Sequence, residues 1–372
     1  MKSNIIAYAH SLGFERVGFT SAVPLKEAEN FLGAWLEQGR AGEMGYLERN
    51  PTLRTRPADH LPGAKTVIAL AMNYYSSNSS SPAAAGRGSM DSPPEAAGND
   101  EREGRIARYA WGRDYHKVIG KRLEAFIRYM QALAPEASFK PFVDTGALLE
   151  RPLAQRAGLG FVGKNTMLIT RGLGSWVFLA NIITTLELPL DAPDTRSCGE
   201  CRLCIDACPT EAITAPYQLD ARRCIAYLTI ELGGKIENDL REKTGDWIFG
   251  CDVCQDVCPH NTRIPSTPVE SFRPVAGGPT SLLLAEILSM RSEEDFHKKC
   301  GGTPLMRAER HGLIRNACLA AAHLDRQDLV PAIEKLCIPE EHPVIREHAR
   351  WALDILGRQA LRAGPVIDPL TA

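Results

Sequence analysis

The sequence predicts a multidomain α+β protein, with an α/β domain over residues 1–190, a cysteine-rich domain over 191–270 and a helical tail over 271–372. Three observations predict it. Apolar stripes at helical spacing alternate with short β-rich runs through the first half of the chain. Eight of the eleven cysteines then crowd into residues 198–258. Beyond them, Ile314, Arg315, Ala321 and Leu324 recur 31 residues later as Ile345, Arg346, Ala352 and Ile355, each set with a proline nearby, which reads as HEAT-like α-helical repeats.

In the first domain, residues 24–39 carry Phe31, Leu32, Trp35 and Leu36 on one helical face, and 65–71 (KTVIALA) read as a buried strand. Residues 76–104 are rich in Ser, Pro, Ala and Gly; they carry too little apolar surface to order themselves and are expected to form a flexible loop. Ile119, Leu123, Phe126, Ile127, Met130 and Leu133 mark a long amphipathic helix. Residues 140–144 (KPFVD) follow as a strand ending in a turn. LLERPLAQRA from Leu148 reads as helix, and TMLIT from Thr166 and SWVFLANIITTLEL from Ser175 as strands around the RGLG turn.

The cysteines carry the chemistry. CGECRLCIDACP begins at Cys198, Cys224 stands alone, and CDVCQDVCP begins at Cys251. In CxxCxxCxxxCP, three thiolates at three-residue steps wrap one 4Fe-4S cubane while the fourth reaches across to another. The second run holds three cysteines, so Cys224 supplies the missing ligand. Crossed ligation predicts one cluster on Cys198, Cys201, Cys204 and Cys258, and the other on Cys208, Cys224, Cys251 and Cys254. Structural zinc and disulfides are the competing readings. Successive three-residue steps closed by Cys-Pro favour clusters over zinc. The opening MKSNIIAYAHSLGF has no secretory pattern, so a reducing cytoplasm is expected, where clustered thiols bind metal. Cys300, Cys318 and Cys337 lack any such spacing and read as packing residues.

A chain of 372 residues with 44% hydrophobic content can bury two or three cores, and no apolar run approaches membrane-spanning length. With a net charge of -2, an anionic partner has to be met by a local basic patch. Two look-alike motifs are set aside. Gly158, Gly160 and Gly163 spell GxGxxG ahead of Lys164, but helix precedes and strand follows, the reverse of a dinucleotide fingerprint. Asp114 and His116 in DYHKVIG resemble the cobalt-ligating DxHxxG, yet Gly120 is one residue too far on, and His116 reads as a helix-start residue.

RYAWGRDYH from Arg108, FVDTGALLERPLAQRAGLGFVGKN from Phe142, CGECRLCIDACPTEAI, RRCIAYLTIE from Arg222 and GCDVCQDVCP from Gly250 together resemble the epoxyqueuosine reductases, over the whole chain except the Ser/Pro-rich loop. The resemblance implies a cobalamin-binding α/β domain, a ferredoxin-like domain with two 4Fe-4S clusters and a HEAT-like tail. It implies reduction of epoxyqueuosine to queuosine at the wobble position of tRNA, the last step of queuosine biosynthesis. Two electrons and two protons are consumed and water is released. Clusters move single electrons, and cob(I)alamin converts that supply into two-electron attack on an epoxide carbon.

On the same resemblance, Asp144 is the acid that protonates the opening alkoxide and also contacts cobalamin; enclosure against the corrin is expected to raise its pKa. Its plain alternative is a turn residue capping the next helix. Arg54, Lys164, Asn165, Leu168 and Asp252 match cobalamin-contacting positions, and Arg151 and Lys235 match positions near tRNA. Arg307, Arg310, Arg315 and Arg346 are further basic residues that either face phosphates or form a solvated helix face. The modified base is expected to leave its stack. Without a flavin or nicotinamide motif, the electron donor is expected to be an external ferredoxin or flavodoxin, and the protein a monomer. A small-molecule reductase of the reductive dehalogenase type is the alternative; the chain shows no twin-arginine signal. A plain electron carrier would leave the large N-terminal domain unexplained.

Overall fold

The computed structural model describes residues 1–76, 102–274 and 279–363. Residues 77–101 of the expected loop lie outside the described residues, while Glu103 and Gly104, assigned to it, begin a strand. In chain order the first half contains α1 (Lys2–Ser11), β1 (Arg16–Ser21), α2 (Lys26–Glu37), β2 (Thr66–Asn73), β3 (Glu103–Ile106), α3 (Tyr115–Leu133), β4 (Phe139–Phe142), α4 (Glu150–Arg156), β5 (Phe161–Val162), β6 (Leu168–Ile169) and β7 (Val177–Thr184). The cysteine region adds α5 (Leu203–Asp206), β8 (Ile213–Ala215), β9 (Gln218–Leu219), α6 (Ile225–Ile230), α7 (Asn238–Arg241), β10 (Trp247–Phe249) and α8 (Val253–Asp256). The tail comprises β11 (Ser281–Leu283), α9 (Leu284–Leu288), α10 (Glu293–Cys300), α11 (Glu309–His323), α12 (Val330–Glu334) and α13 (Pro343–Ala363).

These elements form two compact units that cut the chain elsewhere than at residues 190 and 270. One comprises Met1–Pro94, Arg108–Cys224 and Asp252–Gly278; the other comprises Glu95–Ala107, Ile225–Cys251 and Pro279–Ala372.

The first unit is organised by a four-stranded sheet in the order β1-β2-β7-β4, antiparallel at every pairing. The expected mixture of helix and sheet is present, but not the parallel crossovers that an α/β alternation suggests. Why direction is not legible is visible in β2, whose eight residues are all buried. A strand covered on both faces reads as a continuous apolar run, whatever its direction. Side chains alternate faces at a period of two. Ile68, Leu70 and Met72 join the core with Ile5 and Ala9 of α1 and Ile119, Leu123, Phe126 and Met130 of α3. Ala69 and Ala71 pack with Ala154 and Ala157, and Val67 with Leu153 and Ile183. Each large apolar side chain so buried contributes about 2 kcal/mol. Close seating of the helix requires Gly18, where a Cβ would stand 2.1 Å from the Ala157 carbonyl oxygen. Neither α1 nor β1 was expected.

The second unit holds a three-stranded sheet, β10-β3-β11, with β10 parallel and β11 antiparallel to β3. Helix α11 is buried almost all round, from Gly312 to Ala322. The recurrent apolar positions Ile314, Ala321, Ile345 and Ala352 are all buried on α11 and α13. Of the recurrent arginines, Arg315 fits neither the phosphate-facing nor the solvated-face reading. Arg315 is 0% exposed and donates to the carbonyls of Leu228, Leu232 and Gly234, satisfying the unpaired C-terminal end of α6. Asn316 beside it donates to the Thr229 and Ile248 carbonyls, each at 2.8 Å. Arg310 is buried in a two-pronged pair with Glu341. Arg307 remains exposed in an ion pair with Glu231, and Arg346 bonds the Pro339 carbonyl. None of the eleven cysteines is in a disulfide; Cys300 and Cys318 are buried, and Cys337 is partly buried.

Candidate functional site

Strand β4 lies at the edge of the sheet, which accommodates Pro141 without losing an interior ladder bond. Just beyond it the chain reverses within three residues. The Thr145 amide donates to the Val143 carbonyl at 2.5 Å, and Asp144 at the apex has φ 49°. Such a γ-turn is rare and strained, and local strain of this kind gathers at functional sites. Gly146 lets the loop fold back, since a Cβ there would meet the Phe142 ring at 2.4 Å.

Two residues from the start of α3 close on the Asp144 carboxylate. Asp114 caps this helix by accepting from the His116 amide at 3.0 Å, which fixes the first turn and bears out His116 as a helix-start residue. Tyr115 then donates its hydroxyl to Asp144 Oδ2 at 2.6 Å, and His116 Nε2 stands 3.1 Å from the same oxygen. His116 Nδ1 faces Asp114 Oδ1 at 2.8 Å, so both ring nitrogens meet carboxylates. The Tyr115 ring stacks on Phe178 of β7, with centroids 4.4 Å apart.

Electrostatics follow from this geometry. Burial lowers the His116 pKa, but the hydrogen bonds to Asp144 and Asp114 outweigh it and hold the group above its ordinary value. For Asp144, burial pushes upward, yet hydrogen bonds from His116 and Tyr115 leave the carboxyl below the usual range. In the structure 60% of the Asp144 side chain is exposed and its near oxygen has two donors, whereas the expected elevation belongs to the carboxyl enclosed against a corrin.

The carboxyl that is elevated is Glu150. It opens α4, its Oε2 accepts from the Asp144 amide at 3.3 Å, and its Oε1 accepts from Asn181 Nδ2 at 3.2 Å. Burial, reinforced by the charge of Asp144, pushes its pKa up to about 8. Sequence reasoning singled out neither Tyr115, Glu150 nor Asn181. The only signal for the first two was their presence inside RYAWGRDYH and FVDTGALLERPLAQRA.

The GxGxxG segment is a β5–β6 hairpin, as its flanking pattern required. Its tip fastens onto the cysteine loops. Lys164 donates its amide to Cys198 Sγ at 3.4 Å and its ammonium to the carbonyls of Gly199 and Cys201 at 2.6 and 2.9 Å. Asn165 donates to the Cys254 carbonyl at 3.3 Å. Cys198, Cys201, Cys204 and Cys258 line one small cavity with Asn165, Ile169 and His260. Burial pushes the Cys204 thiol up to about 11, and Cys198, Cys258 and Cys201 add to it. Cys254 is raised by burial and then by Cys224 and Cys208. Cys251 closes the Ile225–Cys251 segment of the second unit, next in sequence to Asp252. Among the described residues no His, Cys, Asp and Glu side chains converge as a single-ion site. The first four thiols surround a space rather than a point, which fits a polynuclear cluster better than tetrahedral zinc.

The remaining expected contacts fall into three kinds. Arg54 is buried, bonds the Tyr46 carbonyl at 2.6 Å and leaves Nε buried without a partner, a donor free for a bound group. Leu168 packs its side chain in the core, and Asp252 is buried while accepting from the Arg108 amide at 2.7 Å. Arg151 is exposed and donates to the Thr166 carbonyl; Lys235 is exposed and pairs with Glu237 at 3.5 Å.

Known proteins match this arrangement over nearly its full length. A family model described as epoxyqueuosine reductase QueG, DUF1730, matches residues 54–145, and a 4Fe-4S double cluster binding domain matches 197–261. An epoxyqueuosine reductase of Pseudomonas aeruginosa is 40% identical over 358 residues, covering 95% of this chain and 94% of its own. A crystal structure of epoxyqueuosine reductase with an epoxyqueuosine-modified tRNA-Tyr stem loop superposes with TM-score 0.84 at 33% identity, covering 96% of this chain and 90% of that one. A Bacillus subtilis epoxyqueuosine reductase, with its aspartate-bearing catalytic loop swung out of the active site, gives TM-score 0.83 at 32% identity, covering 95% and 90%.

Proposed function

The chain belongs to the epoxyqueuosine reductases, and from that premise we propose that it reduces epoxyqueuosine in tRNA at Asp144, with two 4Fe-4S clusters and cobalamin as its cofactors. The observation that carries the site is the convergence of Tyr115 and His116 on one oxygen of a carboxylate at the apex of a strained turn. The full-length likeness favours the tRNA substrate over a small-molecule reductase.

Epoxide plus two electrons plus two protons gives alkene plus water. Bound cobalamin supplies a low-valent metal nucleophile suited to opening the epoxide, and the clusters supply its electrons. The chain supplies the first proton. Asp144 is ionised near neutrality, whereas the raised His116 carries a proton 3.1 Å from it. As alkoxide charge develops over the turn, Asp144 relays that proton outward, and Tyr115 keeps the carboxylate aimed. We assign the first cluster to Cys198, Cys201, Cys204 and Cys258 and the second to Cys208, Cys224, Cys251 and Cys254. Arg54, Lys164 and Asn165 face cobalamin, the first through its unpartnered Nε.

Arg151 beside the turn, and Lys235, contact the tRNA backbone. Helices α11 to α13 are read as a HEAT-like pair that supports the RNA. An external ferredoxin or flavodoxin delivers electrons to a monomer in the cytoplasm; among the described residues no helix is long and apolar enough to cross a membrane.

The test is an anaerobic assay of the cluster-loaded protein with cobalamin, a chemical reductant and tRNA carrying epoxyqueuosine, with digested nucleosides read by mass spectrometry. Cobalamin-dependent appearance of queuosine, one oxygen lighter, is expected. No conversion by a protein with both clusters and bound cobalamin would overturn the proposal.

A further inference from the structure

We infer that Glu150 is a positioning residue that has to keep its proton to hold the Asp144 turn against the sheet. This rests on the reading of Asp144 as the acid. Glu150 forms the middle of a chain that begins on the central strand β7: Asn181 holds Glu150, Glu150 holds the Asp144 amide, and Asp144 is then met by Tyr115 and His116. Asn181 is 1% exposed, and its Oδ1 is buried without a partner. Turning the amide end for end would let that oxygen accept the hydroxyl of a protonated Glu150, with Nδ2 taking the place that Oδ1 now occupies.

What disfavours the ionised state is burial beside a charge of the same sign. The charged or titratable groups that face Glu150 are Asp144 from the turn, Tyr115 from α3 and Arg151 on its own helix, with His116 acting through Asp144. The exposed Arg151 offsets the negative charge only in part. Ionising Glu150 therefore places a second anion, poorly hydrated, behind the Asp144 carboxylate. Lifting the turn into solvent relieves both. Because the Glu150 pKa lies at about 8, protonation and the closed turn prevail below that pH, and both are lost as pH rises through it.

The test compares wild-type protein with E150Q and E150A. Glutamine keeps the shape of the protonated acid, with a donor at one end and an acceptor at the other, and cannot ionise. In the chain with its clusters but no cobalamin, amide exchange over residues 143–147, corrected for intrinsic base catalysis, is expected to accelerate about tenfold in E150A and to stay at the wild-type rate in E150Q. Infrared difference spectra near neutral pH are expected to show a protonated carboxyl that E150Q removes. In the loaded enzyme, E150Q is expected to turn over within about threefold of wild type and to lose the fall in rate between about pH 7 and about pH 9.

Equal exchange in all three proteins, or an unmoved alkaline limb in E150Q, would overturn the inference. So would loss of turnover in E150Q with unchanged exchange, which would make Glu150 a donor. Should E150A not fold, the spectrum and pH profile of E150Q decide. If no protein converts the tRNA, the reading of Asp144 fails, while exchange still reports on the anchor.

Discussion

The cysteine block and the Asp144 turn lie in one chain but are built on opposite principles. Most of the cluster ligands sit at fixed three-residue steps, so local spacing alone sets out the site. The turn draws Asp114, Tyr115 and His116 from one helix start, Asp144 from a loop, Glu150 from a second helix and Asn181 from a strand. The cysteines meet a body that holds them; the carboxylate is held only by its neighbours' hydrogen bonds. A metal site can thus tolerate little change in ligand identity, whereas the turn is tuned by several weak contacts acting together.

That contrast is broken most directly at the cysteines. Cys204→Ser is expected to lose the first cluster and abolish turnover, with iron falling from about eight to about four atoms per chain. Iron analysis and the electron paramagnetic resonance of the reduced protein check it; retention of both clusters would remove Cys204 from the ligand set.

Next comes Asp144→Asn, which keeps the turn's geometry but removes the proton route. Single-turnover rates are expected to fall about 10² to 10⁴-fold with iron content unchanged. A rate near wild type would leave Asp144 as a turn residue only.

A third prediction isolates the second unit. His348 is fully buried, accepts from the Ile236 amide at Nε2 and faces the Val344 carbonyl at Nδ1, so it is held neutral. Burial, then the charges of Arg241 and Arg315, pushes its pKa down to about 4 from 6.5. A depressed histidine stabilises the fold above its unfolded pKa and loses that contribution as pH falls from 6.5 toward 4. The loss amounts to about 3 kcal/mol at most. Thermal denaturation against pH is expected to show it, and His348→Gln to flatten the slope; an equally steep slope in that variant would assign acid sensitivity elsewhere.

The smallest effect is expected at the hairpin staple. Lys164→Met leaves every thiol in place but removes two donors to the cluster loop, so iron is expected to bind fully and be lost to a chelator several-fold faster. Unchanged release kinetics would show that the thiolates alone hold the cluster.

How much was legible in the sequence divides along the same line. The cysteine motifs, α2, β2, the long α3, β7 and the rejection of GxGxxG as a dinucleotide fingerprint all follow from local spacing and period. Strand direction did not, because β2 is apolar on both faces and a period of two carries no orientation. The elevation of Glu150 was also hidden. It depends on which carboxyl faces Asn181 and which faces two donors, and no window of sequence contains both. Arg315 misled for a related reason: a basic residue on a helix reads as solvated unless the carbonyls it satisfies, more than eighty residues away, are known.

The Lys164 and Asn165 hairpin has a consequence for how the protein matures. Its bonds run to carbonyls and a thiol of the cysteine loops, so those loops have to adopt their shape before the hairpin can be anchored. Iron delivery then becomes a checkpoint for the rest of the first unit. Chains made under iron starvation are expected to expose residues 160–170 to proteases, and quality control would clear them before they occupied tRNA unproductively.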